Sequence, residues 1–341
     1  MADTGQQPLP AGRVTIRTVA EDAGVSVAAV SKVMRNAYGV SEALRQNVVE
    51  SIERLGYRPS VAARGMRGQT YTLGVLLVGI DNPFLSQVFD GIAGVADAAG
   101  FKVLLGVGAA KMPMEAKLIE QMIDNHMDGV VMVAAQLSGQ TLETFARQIP
   151  ISVIGHHEAT ATGFDTVNSD DRAGARLAVE AFLAKGYRDI AMISLGPEAD
   201  QLENVAPQRE IGFRSAIEAA GLGPARITRF DNLDAGRWAK LEAMLHRPDR
   251  PRALFVWSDL DGVPLLNIAR QMGLRVPEDL ALIAYDNSPV AALPLIDLAS
   301  MDQEGQSLGQ IATEALLSRI GGRKTAEHKL ITPHLVARGS F

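Results

Sequence analysis

Four aspartates, one arginine and two aromatic residues fall where side chains commonly meet ligands. Asp81 and Phe84 follow an apolar run (LGVLLVG), Asp170 opens a second stretch of chain, and Arg209 opens an amphipathic segment. Trp257 and Asp259 follow ALFV, and Asp286 follows LALIAY. Carboxylates accept hydroxyl hydrogens, a guanidinium donates to oxygens, and aromatic rings cover the apolar faces of a sugar, so the set suits a polyhydroxylated ligand. Each aspartate alone reads more readily as a helix N-cap at a strand-to-helix junction. Convergence of the whole set on strand ends reverses that preference. A different chemistry marks the N-terminal residues, where the hydroxyls of Thr15 and Ser26 suit phosphate oxygens and Lys32 suits a guanine edge.

Catalytic patterns compete weakly with these binding groups. Asp259 and Asp286 are a carboxylate pair that could act as general acid and base on a sugar, but no usual catalytic signature accompanies them. Gly106–Lys111 (GVGAAK) lacks the third glycine of a dinucleotide loop, and neither a P-loop nor an H-E-x-x-H run occurs. His156, His157 and Glu158 are consecutive, so on an extended segment their side chains diverge and a loop is expected rather than a metal site. The absence of cysteine excludes disulfides, thiolate metal sites and cysteine nucleophiles. No cofactor is expected.

The elements that must position these groups are legible as a rhythm. From Thr72, apolar runs of strand length alternate with amphipathic helices ending in glycine: LGVLLVG, FLSQVFDGIAGVADAAG, FKVLLGV, a helix through Met127, GVVMVAA, a helix, ISVIG. The pattern restarts with DDRAGARLAVEAFLAKG and continues through DIAMISL, REIGFRSAIEAAG, ITRF, RWAKLEAML, ALFVWS, a helix to Met272 and LALIAYDN. Buried parallel strands alternating with helices predict an α/β core of two doubly wound lobes. Ligands of such sheets bind at the carboxyl ends of the strands, here the cleft between lobes.

The first sixty residues have another pattern. Thr15 caps a helix whose Ile16, Val19, Ala20 and Ala23 share a face, Gly24 stops it, and Ser26 caps a second helix to about Arg35. Val30, Val33 and Met34 form its apolar stripe, and Ala28, Ser31, Lys32 and Arg35 its small, cationic face. Ser41 opens a third helix with Leu44, Val48, Ile52 and Leu55 on one side, ended by Gly56. Three short helices with a tight glycine turn describe a helix-turn-helix unit. Charge agrees: residues 13–70 carry nine basic against five acidic residues, a net +4, while residues 71–341 carry −9. A basic headpiece on an acidic body points to a polyanion as its partner.

Val14–Gly68 resembles the headpiece and hinge of the LacI/GalR family of bacterial repressors. The match runs through Ala20-x-x-x-Gly24-Val25-Ser26, Val30-Ser31-Lys32-Val33, Val40-Ser41-x-x-x-Arg45 and Gly56-Tyr57-x-Pro59. The resemblance implies base contacts from Val27, Ala28 and Lys32, and phosphate or buttressing roles for Thr15, Ser26, Ser31 and Tyr57. Lys32 stands where arginine is usual and lacks the bidentate fork, which implies weaker discrimination at that base. Leu44 stands where a phosphate-contacting threonine is common. Residues 59–70 match the hinge, which in this family becomes a helix on operator DNA. Ser60 and Ala63 match minor-groove positions, and Met66 stands where leucine wedges between bases. Gly65 is expected to weaken that helix by about 1 kcal/mol relative to alanine, so Gly65→Ala is expected to tighten operator binding.

The resemblance extends over the rest of the chain through DNPF, Gly186-Tyr187-Arg188, Arg209-x-x-Gly212-Phe213, Ser258-Asp259, MGLRVPEDLALIAYDN and the closing ARGS. It implies a type I periplasmic-binding-protein-like core, with effector contacts from Arg209, Asp286 and residues around Asp259, and Gln303 on a crossing between lobes. Asn232 stands where several members place a stacking aromatic, for which Trp257 is a candidate substitute. The expected organisation is a tail (1–12), a helix-turn-helix domain (13–58), a hinge helix (59–70) and the core (71–341). Within the core, the N-lobe takes about 71–165 and 302–325, and the C-lobe about 166–301 and 326–341.

These readings predict a DNA-binding repressor acting as a homodimer on double-stranded, pseudo-palindromic operator DNA, controlled by a small effector, most simply a carbohydrate. Use of a corepressor instead of an inducer is the nearest alternative, and a solute-binding protein for a transporter is a more distant one. No apolar run reaches the roughly 18 residues of a membrane span, and MADTGQQPLPAG carries neither a basic patch nor an apolar run, so a cytoplasmic protein without membrane contact is expected. A heptad extension for tetramerisation is not seen. The helix FLSQVFDGIAGVADAA is apolar enough to offer a second face to a partner, though burial in its own lobe explains it equally well.

Overall fold

The computed structural model describes residues 14–34, 37–57, 68–196, 203–230 and 236–341. The chain divides into two compact units, Met1–Thr70 and Tyr71–Phe341.

The first unit contains helices α1 (Ile16–Asp22), α2 (Val27–Met34) and α3 (Glu42–Leu55). Its ends form where side chains can satisfy orphan backbone groups. Thr15 and Thr18 make a reciprocal capping box, Ser26 Oγ accepts from Ala29 N at 3.1 Å, and Ser41 Oγ accepts from Leu44 N at 3.3 Å. Gly56 ends α3 in the left-handed conformation, φ +61°. Val19, Ala20, Ala23, Val30, Val33 and Val48 form a small buried core, with Leu44, Ile52, Leu55 and Tyr57 packed around it. Asn47 Nδ2 donates to Ala23 O at 2.9 Å and Arg54 pairs with Asp22, which ties α3 to α1.

The second unit holds two six-stranded sheets. The first lobe contains β1 (Thr72–Leu77), α4 (Phe84–Ala98), β2 (Lys102–Val107), α5 (Met112–Asp124), β3 (Gly129–Val133), α6 (Gly139–Ala146), β4 (Ile151–Ile154) and β5 (Asp165–Ser169). After α7 (Asp171–Ala184), the second lobe continues with β6 (Ile190–Leu195), α8 (Val205–Ala219), β7 (Arg226–Phe230), α9 (Arg237–His246), β8 (Ala253–Val256), α10 (Asp259–Gln271), β9 (Ala281–Tyr285) and β10 (Ser300–Asp302). Then α11 (Gly305–Ile320) and β11 (His328–Ile331) return to the first lobe, and β12 (His334–Val336) to the second. Strand orders are β11-β5-β4-β3-β1-β2 and β12-β10-β9-β8-β6-β7, parallel except for the β10–β12 pair. Central strands are buried on both faces, which is why they read as unbroken apolar runs.

The lobe boundaries differ from the expected ones. The first crossing falls after Ser169 rather than at 165/166, because β5 belongs to the first sheet, with Asp165–Val167 pairing in parallel with Ser152–Ile154. Residues 328–331, expected in the C-lobe, pair with Thr166–Ser169 of the first sheet, and only β12 returns. Asp165, fully buried, anchors this region by accepting from Arg319 at 2.9 Å and Arg323 at 2.7 Å.

Helix α4 uses its second apolar face within its own lobe, against α11. A Cβ on Gly309 would lie 2.1 Å from Val88 O, and one on Gly91 would lie 2.1 Å from Gln306 O. The two glycines let the backbones touch. Among the described residues, no helix is long and apolar enough to cross a membrane.

Candidate functional site

The carboxyl ends of both sheets converge on one buried polar cluster. Arg209, in the first turns of α8, is 2% exposed. Its Nε donates to Asp171 Oδ1 at 2.7 Å, its Nη1 donates to Trp257 O, and its guanidinium carbon lies 3.6 Å from the Tyr285 ring centroid. His157, in the loop after β4 of the first lobe, places Nε2 at 2.7 Å from Asp171 Oδ2. Tyr285 hydroxyl and Ser169 Oγ are 3.3 Å apart. Both oxygens of Asp171 are therefore occupied, one from each lobe.

Burial opposes the charge of each member, and partners decide the outcome. The Asp171 pKa lies below the usual carboxylate range because Arg209 and then His157 more than offset its desolvation. Arg209 is raised for the reciprocal reason, despite burial. Tyr285 is raised by burial, so its hydroxyl stays protonated.

Asp286 forms the other part of the cluster. It follows β9 directly, with φ +113°, a strained conformation for a residue other than glycine. Oδ2 accepts from Ser258 Oγ at 2.8 Å and from Asn82 Nδ2 of the first lobe at 3.2 Å, while Oδ1 accepts from Gln303 Nε2 at 2.6 Å. Burial raises its pKa against the opposing pull of Arg209. Four lone-pair sites exist on a carboxylate, and three are filled.

The sequence-derived candidates separate into two groups. Arg209, Asp286 and Gln303 belong to the cluster, and Trp257 contributes its backbone carbonyl. The Trp257 indole Nε1 instead donates to Asp261 Oδ2 at 2.6 Å inside the second lobe. Asp259 is 2% exposed and holds its own lobe together, accepting from Ser300 Oγ and Ser288 N, each at 2.7 Å. Asp170 is the N-cap of α7, accepting from Ala173 N at 3.0 Å. Asp81 is exposed, and Phe84 is buried in the first-lobe core. At two places the neighbour of the chosen aspartate is the residue that reaches the cleft: Asn82 beside Asp81, and Asp171 beside Asp170. His157 was also missed. Adjacent side chains do diverge here, but one of them lands on Asp171 while His156 faces Glu158 at 3.2 Å. Asn232 lies outside the described residues.

A metal is not assigned. Among the described residues, Asp302, Glu304 and His334 place ligand atoms within 4.8 Å of one another. Glu304 and His334 are exposed and face each other at 3.4 Å, and Asp302 is held by Asn287 at 2.7 Å.

In the headpiece, Ala28 and Lys32 are exposed, and Val27, Ser31 and Tyr57 are half-buried. Ala28, Ser31 and Lys32 lie at i, i+3 and i+4 and share a face of α2. Thr15 and Ser26 sit at helix N-termini, where backbone N–H groups favour phosphates. Ser60, Ala63 and Met66 lie outside the described residues.

Comparisons with known proteins agree with this geometry. Residues 15–60 match the family described as "Bacterial regulatory proteins, lacI family", and residues 179–341 match "Periplasmic binding protein-like domain". The chain is 30% identical over 331 residues to the HTH-type transcriptional repressor CytR of Escherichia coli K12, covering 96% of each protein. The chain belongs to the LacI family. Catabolite control protein A of Priestia megaterium is 29% identical, with 95% of this chain and 97% of that protein aligned. Among solved structures, the LacI-type fold is matched by the CelR–cellobiose complex (TM-score 0.71, 27% identity, 96% and 100% coverage). It is matched also by the Lac repressor dimer bound to operator and an anti-inducer (TM-score 0.83, 23% identity, 96% and 99% coverage). As a LacI-family member, the chain is a DNA-binding transcriptional regulator.

Proposed function

We propose that the chain is a ligand-controlled repressor. As a homodimer it binds a pseudo-palindromic operator through two headpieces, and a sugar or sugar derivative between the lobes sets the affinity. The observation that carries the reading is the convergence of Asn82 and His157 from one lobe with Arg209, Tyr285 and Asp286 from the other. Donors and acceptors at strand ends, backed by an aromatic ring, are what a polyol requires. A ligand that prefers one lobe arrangement shifts the operator equilibrium by its differential affinity, so binding at the cleft and on DNA are linked. In the headpiece, Val27, Ala28 and Lys32 are the base-reading residues, with Thr15, Ser26, Ser31 and Tyr57 serving the backbone and Ser60, Ala63 and Met66 the minor groove. A repressor of this kind acts in the cytoplasm, where its DNA lies. No reaction is assigned to the cleft: Asp259 accepts from Ser288 N and Ser300 Oγ within the second lobe, a structural role.

The experiment is operator binding to a fragment from the protein's own upstream region, followed by carbohydrate titration. Tight, steeply salt-dependent binding is expected, with release by one class of sugar. Tightening on titration instead would identify a corepressor. The reading fails if the chain lacking residues 1–70 holds the fragment as well as the intact chain does.

A further inference from the structure

The buried cation of the cleft is already neutralised. Arg209 contacts Asp171 Oδ1 at 2.7 Å, and His157 holds the other Asp171 oxygen at 2.7 Å, so the carboxylate is fixed on the guanidinium. Asp286, with its own partners, adds a second acid nearby, and Arg209 is close enough to influence its charge. The cluster therefore holds one guanidinium against two carboxylates, in surroundings where charges are poorly screened.

We propose that the Asp171–Arg209 pair makes the cleft select an uncharged polyhydroxylated ligand over its phosphorylated or carboxylated counterpart, with Asp171 the specificity-determining residue. The inference rests on the effector reading given above and narrows it. An anionic group brought to Arg209 meets a guanidinium whose Nε is donated to Asp171 and whose Nη1 is donated to Trp257 O. A guanidinium carries five N–H donors, so others remain to serve neutral hydroxyl oxygens. Those donors attract a dianionic phosphate less than an unpaired arginine would, because Asp171 and Asp286 repel it. The ring of Tyr285, 3.6 Å from the guanidinium carbon, occupies one of its faces. A hydroxyl of a neutral ligand can also donate to the lone pair left on Asp286 or replace Asn82 there, which a fully ionised phosphate group brought to the same place cannot do.

The test uses the full chain and matched pairs of neutral sugars and their phosphate esters, beginning with D-ribose and D-ribose 5-phosphate, then cellobiose and its 6-phosphate. Binding is read by calorimetry and by intrinsic tryptophan fluorescence. For each pair in which either member binds, the neutral member is expected to bind at least tenfold tighter. Asp171→Asn, confirmed as folded by circular dichroism, is expected to narrow that ratio by about tenfold. An ester that binds the unaltered protein as tightly as its parent sugar overturns the proposal whatever the variant does. If no member of a broad panel binds in either form, the effector reading falls and this inference falls with it. An unchanged ratio in Asp171→Asn removes Asp171 from the selecting role.

Discussion

Asn82 of the first lobe reaches across to Asp286 of the second, Nδ2 to Oδ2 at 3.2 Å. It is the longest of the three hydrogen bonds to that carboxylate; Ser258 and Gln303 donate at 2.8 and 2.6 Å. The first-lobe contact is thus the one a ligand hydroxyl displaces most easily. Asp286→Asn keeps the size of the side chain and a residue type that tolerates φ > 0. The variant is expected to bind operator as the parent does but to lose the response to sugar, read by fluorescence anisotropy with and without ligand. A full response in the variant would exclude Asp286 from the site.

Lys32 is exposed on the outer face of α2. Lys32→Ala is expected to weaken operator binding by about tenfold or more, the usual value of a base contact. Sugar binding in the body is expected to stay unchanged. Affinity measured across a salt series, alongside calorimetry with the sugar, separates the two effects. Equal operator affinity in variant and parent would show that α2 does not read the DNA.

The pKa of Asp259 is raised to about 7, by burial first and by the charge of Asp286 second. In the unfolded chain the group returns to its ordinary value near 3.8. Between these values the folded state keeps a proton that the unfolded state has released, so stability falls as pH rises from about 4 to about 7. The full span is worth about 4 kcal/mol. Asp165 and Asp171 have lowered values and act only below this window. The parent protein is expected to gain Tm on acidification from pH 7.5 to 5, and Asp259→Asn to show a flatter profile. Identical slopes in scanning calorimetry would rule out Asp259 as the source.

Gly309→Ala drives a methyl group toward Val88 O, which a rigid Cβ would approach to 2.1 Å. Backbone cannot turn aside as a flexible side chain can, so α4 and α11 must separate. A loss of about 3 kcal/mol in urea denaturation is expected, at the upper end for overpacking. A loss below about 0.5 kcal/mol would mean that the helices part freely.

Much of the fold and part of the site are legible in the sequence. Thr15, Ser26, Ser41 and Gly56 announce the headpiece helices because capping is local chemistry, decided within four residues. The long apolar runs of β1, β3, β8 and β9 announce themselves because both faces are buried. Strands β5 (DTVNS), β10 (SMD), β11 (HKLI) and β12 (HLV) do not, being short and carrying polar residues, and β11 finds its partner, β5, far back in the chain. For that reason the sequence alone does not place the lobe boundaries. In the site, type and neighbourhood of the acids were legible, but not which of two adjacent polar residues turns inward. Asp170 and Asp171 differ only in the direction that the first turn of α7 gives them. His157 gives no signal of its own, since its partner lies fourteen positions onward and is brought close only by the crossing.

The pairing of His328–Ile331 with Thr166–Ser169, and of His334–Val336 with Ser300–Asp302, bears on how the chain is made. Each sheet receives an edge strand from the C-terminal stretch, so neither lobe can be finished on the ribosome until nearly all of the message has been translated. The headpiece closes its core with residues 19–48 and the flanking Ile52, Leu55 and Tyr57, all far upstream of the body's last strands. A product lost to premature termination would therefore carry a finished DNA-binding unit and an unfinished body, and the cell would have to clear it by proteolysis of the body rather than silence it with ligand.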